Sequence, residues 1–294
     1  MNQSLLFLFS ALIAAPPPST TPPAPAAIVY ALTGEAFQTL PGQPRNPIAL
    51  FDRLPAGADL EVAPHAHLAL AFASGKRWAL GGGAHVTLGA ADLRSRAGDV
   101  RALPAVPPFP HLARIREHDH AGPRAGAVRI RGERIKGLYP SRGAAALAST
   151  VVLLFRPVEG ADRYRIEVQD RQGTAVFAIE TSEMMARVPA GTLQPGHRYS
   201  WTVRTLDRPG GVAQGEAEIV TLNEDTGREE AREVLAAEGS DSLPLLAEID
   251  RSLELWLEAR EDLRAALDDK PGDPALRKAL AEIEARLEHE DDRE

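Results

Sequence analysis

The chain has 294 residues, with 33 Lys and Arg against 41 Asp and Glu, and no cysteine. At about 150 residues per domain, that length predicts two or three domains. Without cysteine there is no disulfide framework, thiolate nucleophile, zinc ribbon, cysteine-ligated iron–sulfur cluster or lipidated cysteine of a bacterial lipoprotein. Hydrophobic residues at 44% and charged residues at 25% are the balance of a chain that mostly folds. Aromatic residues, at 5%, are too sparse for stacking platforms that hold single-stranded nucleic acid or glycans.

Residues 5–15 (LLFLFSALIAA) form an unbroken apolar run. A membrane span needs about 20 residues, so this run has the length of a signal-peptide core instead. Ala14 and Ala15 offer small residues for cleavage. Export to the periplasm or the exterior is therefore expected. Residues 16–25 (PPPSTTPPAP) cannot pack a core and read as an extended polyproline linker. No other stretch approaches a membrane span, so the mature chain is expected to be soluble.

Charge divides the remainder. Residues 26–222 carry 23 basic and 18 acidic residues, whereas residues 223–294 carry 10 and 23. Pro and Gly concentrate before Leu222, so the first part reads as β with turns and the last as α.

Residues 26–103 show short alternating segments. Leu68, Leu70 and Phe72 share one face at period two. Ser74-Gly75 then turns the chain, Gly81-Gly82-Gly83 turns it again, and residues 78–80 and 85–88 supply further strands. The order of Gly34-Glu35-Ala36, residues 54–60 (LPAGADL), residues 66–72, Ser74-Gly75 and residues 78–88 resembles the periplasmic FecR-type domain over about 75 residues. The resemblance implies a binding and sensing module. That family's sigma-regulator role is not carried over, because neither its transmembrane helix nor its cytoplasmic regulator is expected in the short segment ahead of the domain.

Residues 104–126 read as a Pro-rich linker carrying His111, His118 and His120. Residues 111–142 hold 8 basic and 3 acidic residues, a pattern open to nucleic acid. A solvated linker is the expectation, and no nucleic-acid partner is expected.

Residues 127–222 form a second β module. Residues 151–155 (VVLLF) read as a buried strand, and Tyr164, Ile166 and Val168 alternate. Asp170-Arg171-Gln172-Gly173 signals a hairpin into residues 175–179. Residues 193–203 (LQPGHRYSWTV) place Tyr199, Trp201 and Val203 on one face behind a Pro-Gly turn. This line resembles the E–F corner and strand F of a fibronectin type III sandwich. The resemblance implies that the Tyr199 hydroxyl bonds back to the upstream backbone. It also puts Phe155 where such domains often carry a strand-B tryptophan. Residues 216–222 would close the sandwich.

Residues 223–294 read as helical. A first helix covers residues 229–237 and ends near Gly239. Asp241 or Ser242 can cap the next, with Pro244 in its first turn. Leu246, Ile249, Leu253, Trp256, Leu263 and Leu267 fall on one apolar stripe. Lys270-Pro271-Gly272 stops that helix. Asp273 caps the last, whose stripe is Leu276, Leu280, Ile283 and Leu287. Leu243, Leu246, Ala247, Ala259, Leu263, Ala266 and Pro271 resemble one tetratricopeptide unit. Asp250 stands where that repeat has a large apolar residue, and no Gly or Pro marks a turn near Glu254. A helix hairpin and a single long helix both remain open. Residues 288–294 are an acidic tail.

Chemistry-bearing clusters are few. His65 and His67 would share one side of a strand, a geometry that can hold metal. His118-Asp119-His120 is a second such cluster, but exposed histidines are the expectation for both. The Gly81-Gly82-Gly83 turn lacks the Gly-Lys-Ser/Thr of a phosphate loop. Ser149 and Ser200 lack a nucleophile-elbow setting. Glu167 and Glu180 read as outward strand residues, and Met184-Met185 as a turn contact. No catalytic residue, metal or cofactor is expected.

The fold class is thus mostly β with an α C-terminus: a FecR-like domain, an immunoglobulin- or fibronectin-III-like sandwich and a short helical tail. The function that follows is an exported, non-enzymatic envelope protein that contacts other proteins. Its partner surface is expected on Leu246, Ile249, Leu253, Trp256, Leu263 and Leu267. Binding of cell-wall polysaccharide or peptidoglycan is the alternative, and a metal-dependent hydrolase built on His65 and His67 the remote one.

Overall fold

Alternating apolar residues build the first ten strands. They are β1 (Pro25–Thr33), β2 (Ala36–Thr39), β3 (Asn46–Pro47), β4 (Arg53–Pro55), β5 (Asp59–Val62), β6 (His67–Phe72), β7 (Arg77–Leu80), β8 (His85–Leu88), β9 (Leu93–Ala97) and β10 (Val100–Leu103). The computed structural model describes residues 25–108, 133–141, 144–222 and 227–289. The apolar run near the N-terminus and the histidines of the Pro-rich linker lie outside the described residues.

These strands form two five-stranded antiparallel sheets, ordered β10-β7-β6-β1-β4 and β3-β2-β5-β8-β9. Val29, Leu54, Leu68, Leu70 and Phe72 of the first pack with Leu60, Val62, Val86 and Leu88 of the second. Each such side chain contributes about 1.5–3 kcal/mol by leaving water. Gly34 closes the β1–β2 turn at φ 76°. A Cβ there would sit 2.9 Å from the Ala66 Cβ, so the turn needs glycine on both counts. Residues 104–108, expected as linker, begin by packing on this module. Val106 is buried, and its N–H donates to the Gly75 carbonyl at 3.0 Å.

The second module holds β11 (Ala145–Ala146), β12 (Val152–Leu154), β13 (Tyr164–Gln169), β14 (Ala175–Thr181), β15 (Met185–Arg187), β16 (Arg198–Thr205) and β17 (Gln214–Thr221). One sheet runs β11-β17-β16-β13-β14, and β12 pairs with β15 opposite it. The core between them gathers Leu153, Phe155, Tyr164, Ile166, Val168, Trp201, Val203 and Ile219. The Tyr199 hydroxyl accepts the Gln194 N–H at 2.9 Å, which is the corner implied by the sequence. Trp201 is fully enclosed, and its indole N–H donates to the Pro140 carbonyl at 2.9 Å. Phe155 lies one residue beyond β12, with its ring 4.8 Å from that of Tyr164. This is a fibronectin-III-like sandwich.

Among the described residues four helices follow: α1 (Arg228–Ala236), α2 (Leu243–Ser252), α3 (Trp256–Asp269) and α4 (Pro274–His289), with a 3-10 turn at Gly239–Ser242. The Asp273 carboxylate caps α4, accepting the N–H groups of Ala275 and Leu276 at 2.8 and 3.1 Å. Ser242 does not cap α2. Its hydroxyl lies 2.7 Å from the Leu235 carbonyl instead and ties α1 to the 3-10 turn. The long-helix alternative is corrected, because the chain breaks between α2 and α3 with Glu254 at φ 63°. The Asp250 carbonyl accepts the Leu255 N–H at 2.9 Å across this break, and Leu255 drops into the interior. Neither glycine nor proline is needed, because burying leucine offsets the small cost of one left-handed residue.

The helices sit between the two β modules. On the outer face of β1 and β6, Ile28, Tyr30 and Ala71 pack under Ala231, Leu235, Leu245, Leu246 and Ile249. Trp256, Leu257, Leu263, Leu276 and Ile283 form another core with Tyr139 and Ala144, and Leu50, Phe51, Val152 and Leu154 pack against it. Residues 26–30 are consequently buried without alternation, because the sheet is covered on both faces.

Candidate functional site

The stripe expected to face a partner is consumed inside the chain. Leu246 and Ile249 belong to the core beneath the first module, with Leu253 packed against it. Trp256 and Leu263 belong to the core beside the second, with Leu267 packed against it. Exposure of this stripe is therefore corrected: the break at Glu254 divides it between two interfaces with the chain's own sheets.

Partly buried ion pairs tie the helical unit to the first module. Arg77 of β7 is fully enclosed and reaches both Glu238 oxygens, at 2.6 and 2.7 Å. It also donates to the Pro104 carbonyl. Tyr30 lies beside it, and burial pushes its phenol up to about 12. Arg53 of β4 meets Glu248 of α2 at 3.3 Å, and Arg251 meets the other oxygen of Glu248 at 3.2 Å. Burial raises the Glu248 carboxyl above its usual range.

The third pair lies within the helical unit. Arg228 at the start of α1 grips Asp250 of α2 with two parallel bonds, 2.6 and 2.7 Å. Arg228 is 1% exposed and Asp250 0%. Against this pair stands Asp262 of α3, whose carboxyl burial and the Asp250 charge push up to about 7. Burial raises Glu258 as well. Only Asp250 had a signal in the sequence, as an acid inside an apolar stripe. Its arginine partner lies 22 residues upstream, outside any local pattern.

The remaining candidates separate. His65 lies in a turn at φ 68° while His67 opens β6, so the two do not share a strand face. Among the described residues, no three His, Asp or Glu side chains gather as a metal site. In the glycine turn, Gly81 N–H donates to the Asp99 carbonyl and Gly83 N–H to the Val62 carbonyl, so those amides are spent on the backbone. Ser149 is exposed in a turn, and Ser200 faces Glu218 across β16 and β17. Glu167 and Glu180 flank Arg165 at 3.6 and 3.8 Å, and Glu180 also holds Arg163 at 2.8 Å. They are part of a neutralised surface ladder. The crevice lined by Tyr30, Leu32, Leu50, Pro244 and Leu276 holds about 10 Å³, room for one water.

Of the free sheet edges among the described residues, those of the second module lie beside exposed apolar side chains. Among the described residues, β14 pairs only with β13 and β15 only with β12, so both sheets present a free edge on either side of the turn at residues 182–184. Ile179 pairs across from Ile166 on the inner face but is 40% exposed, because the two-stranded sheet does not reach over it. Phe177 and Met184 are partly buried beside it, and Met185 is exposed on β15.

No family model matches the chain, and no curated protein matches it. It is similar to several solved structures. The fibronectin type III domain of the human collagen alpha-1(XX) chain is 17% identical, covering 35% of this chain and 95% of that one, with a TM-score of 0.26. CopC from Methylosinus trichosporium OB3b is 21% identical, covering 32% and 97%, with a TM-score of 0.25. A segment of two fibronectin type III domains from chicken tenascin is 11% identical, covering 68% and 95%, with a TM-score of 0.25.

Proposed function

We propose that this chain is an exported, non-enzymatic envelope protein that scaffolds protein–protein contact through the open edge of its second sandwich. The observation that carries this reading is the coincidence, on β14, of unpaired strand backbone with the exposed side chain of Ile179. An edge of this kind accepts an added strand, whose backbone bonds supply affinity and whose alternate side chains supply specificity. The partner is an extended segment with an apolar residue at every second position. Such a side chain enters between the two sheets over Phe177, Ile179 and Met184.

The rest of the chain supports that role. The apolar run at residues 5–15 and the FecR-type resemblance of the first module fit an exported binding protein. The residues resembling a tetratricopeptide unit are spent on holding the two β modules together.

Ile179→Lys places an ammonium at the apolar lip without disturbing the core. It is expected to weaken capture of the partner from envelope extract at least about tenfold, roughly 1.4 kcal/mol. Val212→Lys, at another exposed position, is expected to leave capture intact. Equal capture by the wild type and Ile179→Lys would remove the edge from consideration.

A further inference from the structure

Two carboxyl groups meet where α1, α2 and α3 pack together. Asp250 has both oxygens bound to Arg228. The remaining guanidinium nitrogen of Arg228 is taken by Glu229, an exposed acid, at 2.6 Å. Asp262 of α3 is 8% exposed, and its Oδ2 is buried with no hydrogen-bond partner. Its carboxyl bonds that of Asp250. Two carboxyl groups in contact attract when they share one proton and repel when both are ionised.

The charged groups facing the pair are countable on each element. From α1 come Arg228, already neutralised by Asp250, and Arg232, which is exposed and screened by solvent. α2 supplies Asp250 itself, and α3 supplies Glu258, another acid. Among the described residues, no buried cation is left to neutralise a second negative charge at Asp262.

We infer that the Asp250–Asp262 carboxyl pair is a proton-operated latch on the helical unit. The shared proton seats α3 on α1 and α2. Its loss sets two like charges in contact, loosens α3 and weakens the Trp256 face that rests beside the second sandwich. The inference stands apart from the edge-binding reading, since no residue of β14 or β15 takes part.

The direction with pH follows from the proton count. Asp262 titrates at about 7 in the fold against 3.8 for the free side chain. The folded state therefore binds the extra proton between those values. The pair's contribution to stability is greatest in acid, falls as pH rises through that window, and is lost above about 7.

Asp262→Asn keeps the shape and removes the ionisation. Urea unfolding of full-length wild type and Asp262→Asn at pH 5 and pH 8 compares the two while other acids cancel. The expected result is near-equal unfolding constants at pH 5 and a variant more stable at pH 8, by on the order of 10²-fold. An unchanged ratio across this range overturns the latch. Where the variant does not fold, carboxyl carbon NMR of the wild type decides instead. An Asp262 midpoint near 7 supports the latch, and one near 4 overturns it.

Discussion

A chain ending at Leu222 is expected to aggregate and to bind a hydrophobic dye strongly, while the full chain stays monodisperse and dye-silent. Removing the helices strips cover from Ile28, Tyr30 and Ala71 on the first module. It also uncovers Leu50, Phe51, Tyr139, Val152 and Leu154. Apolar faces of this kind are ones that soluble monomers normally keep covered. It also leaves the Arg77 guanidinium without Glu238, with the Pro104 carbonyl as its remaining partner. Size-exclusion chromatography with dye fluorescence reads the result directly. A monodisperse, dye-silent fragment would mean that the β modules complete their own surfaces. The same reasoning makes truncation a poor probe of partner binding, since it exposes faces the intact protein never shows.

Asp250→Ala carries the second large effect. It leaves the Arg228 guanidinium buried, with exposed Glu229 as its remaining partner. Breaking one side of a buried pair costs about 3–5 kcal/mol, because the surviving charge stays desolvated. Replacing both members by apolar residues, Arg228→Met with Asp250→Leu, is expected to recover most of that loss. Urea midpoints at pH 6, where the Asp262 proton is still bound, measure both variants. A cost below about 1 kcal/mol for Asp250→Ala would show that water reaches the pair.

Much of the β structure was legible because its signals are local. Leu68, Leu70 and Phe72 point into the first core as their spacing implies. Tyr199 and Trp201 occupy the corner and core positions that residues 193–203 imply. The helical part was legible in its caps and stripes but not in its tertiary role. Amphipathicity shows that Leu246, Ile249, Trp256 and Leu263 bury a face; it does not show what covers them. The cover was encoded elsewhere, in the near-continuous apolar residues 26–32 and in small Ala69 and Ala71, which let helices approach the sheet. The break at Glu254 has no local signal that decides between hairpin and long helix, because it rests on Leu255 finding a buried site, a tertiary effect without a turn residue. Asp250 looked like a departure from a repeat pattern because its explanation, Arg228, lies a whole helix away.

The open edge had a different kind of signal. Residues 175–181 read as an ordinary strand, and nothing local says that its second side is unpaired. Edge status is a property of sheet order, which emerges once β13 has been claimed by β16 on its other side.

The helical unit is an integral wedge between two β modules rather than an appended tail. The three tryptophans report one unit each: Trp78 in β7, Trp201 in β16 and Trp256 at the start of α3. Fluorine NMR of the full chain labelled with 5-fluorotryptophan, followed through a urea titration at pH 6, reads all three units at once. Loss of the Trp256 resonance together with those of Trp78 and Trp201, in one transition, is the predicted result. Loss of Trp256 at lower urea, with the other two still at their native positions, would contradict it.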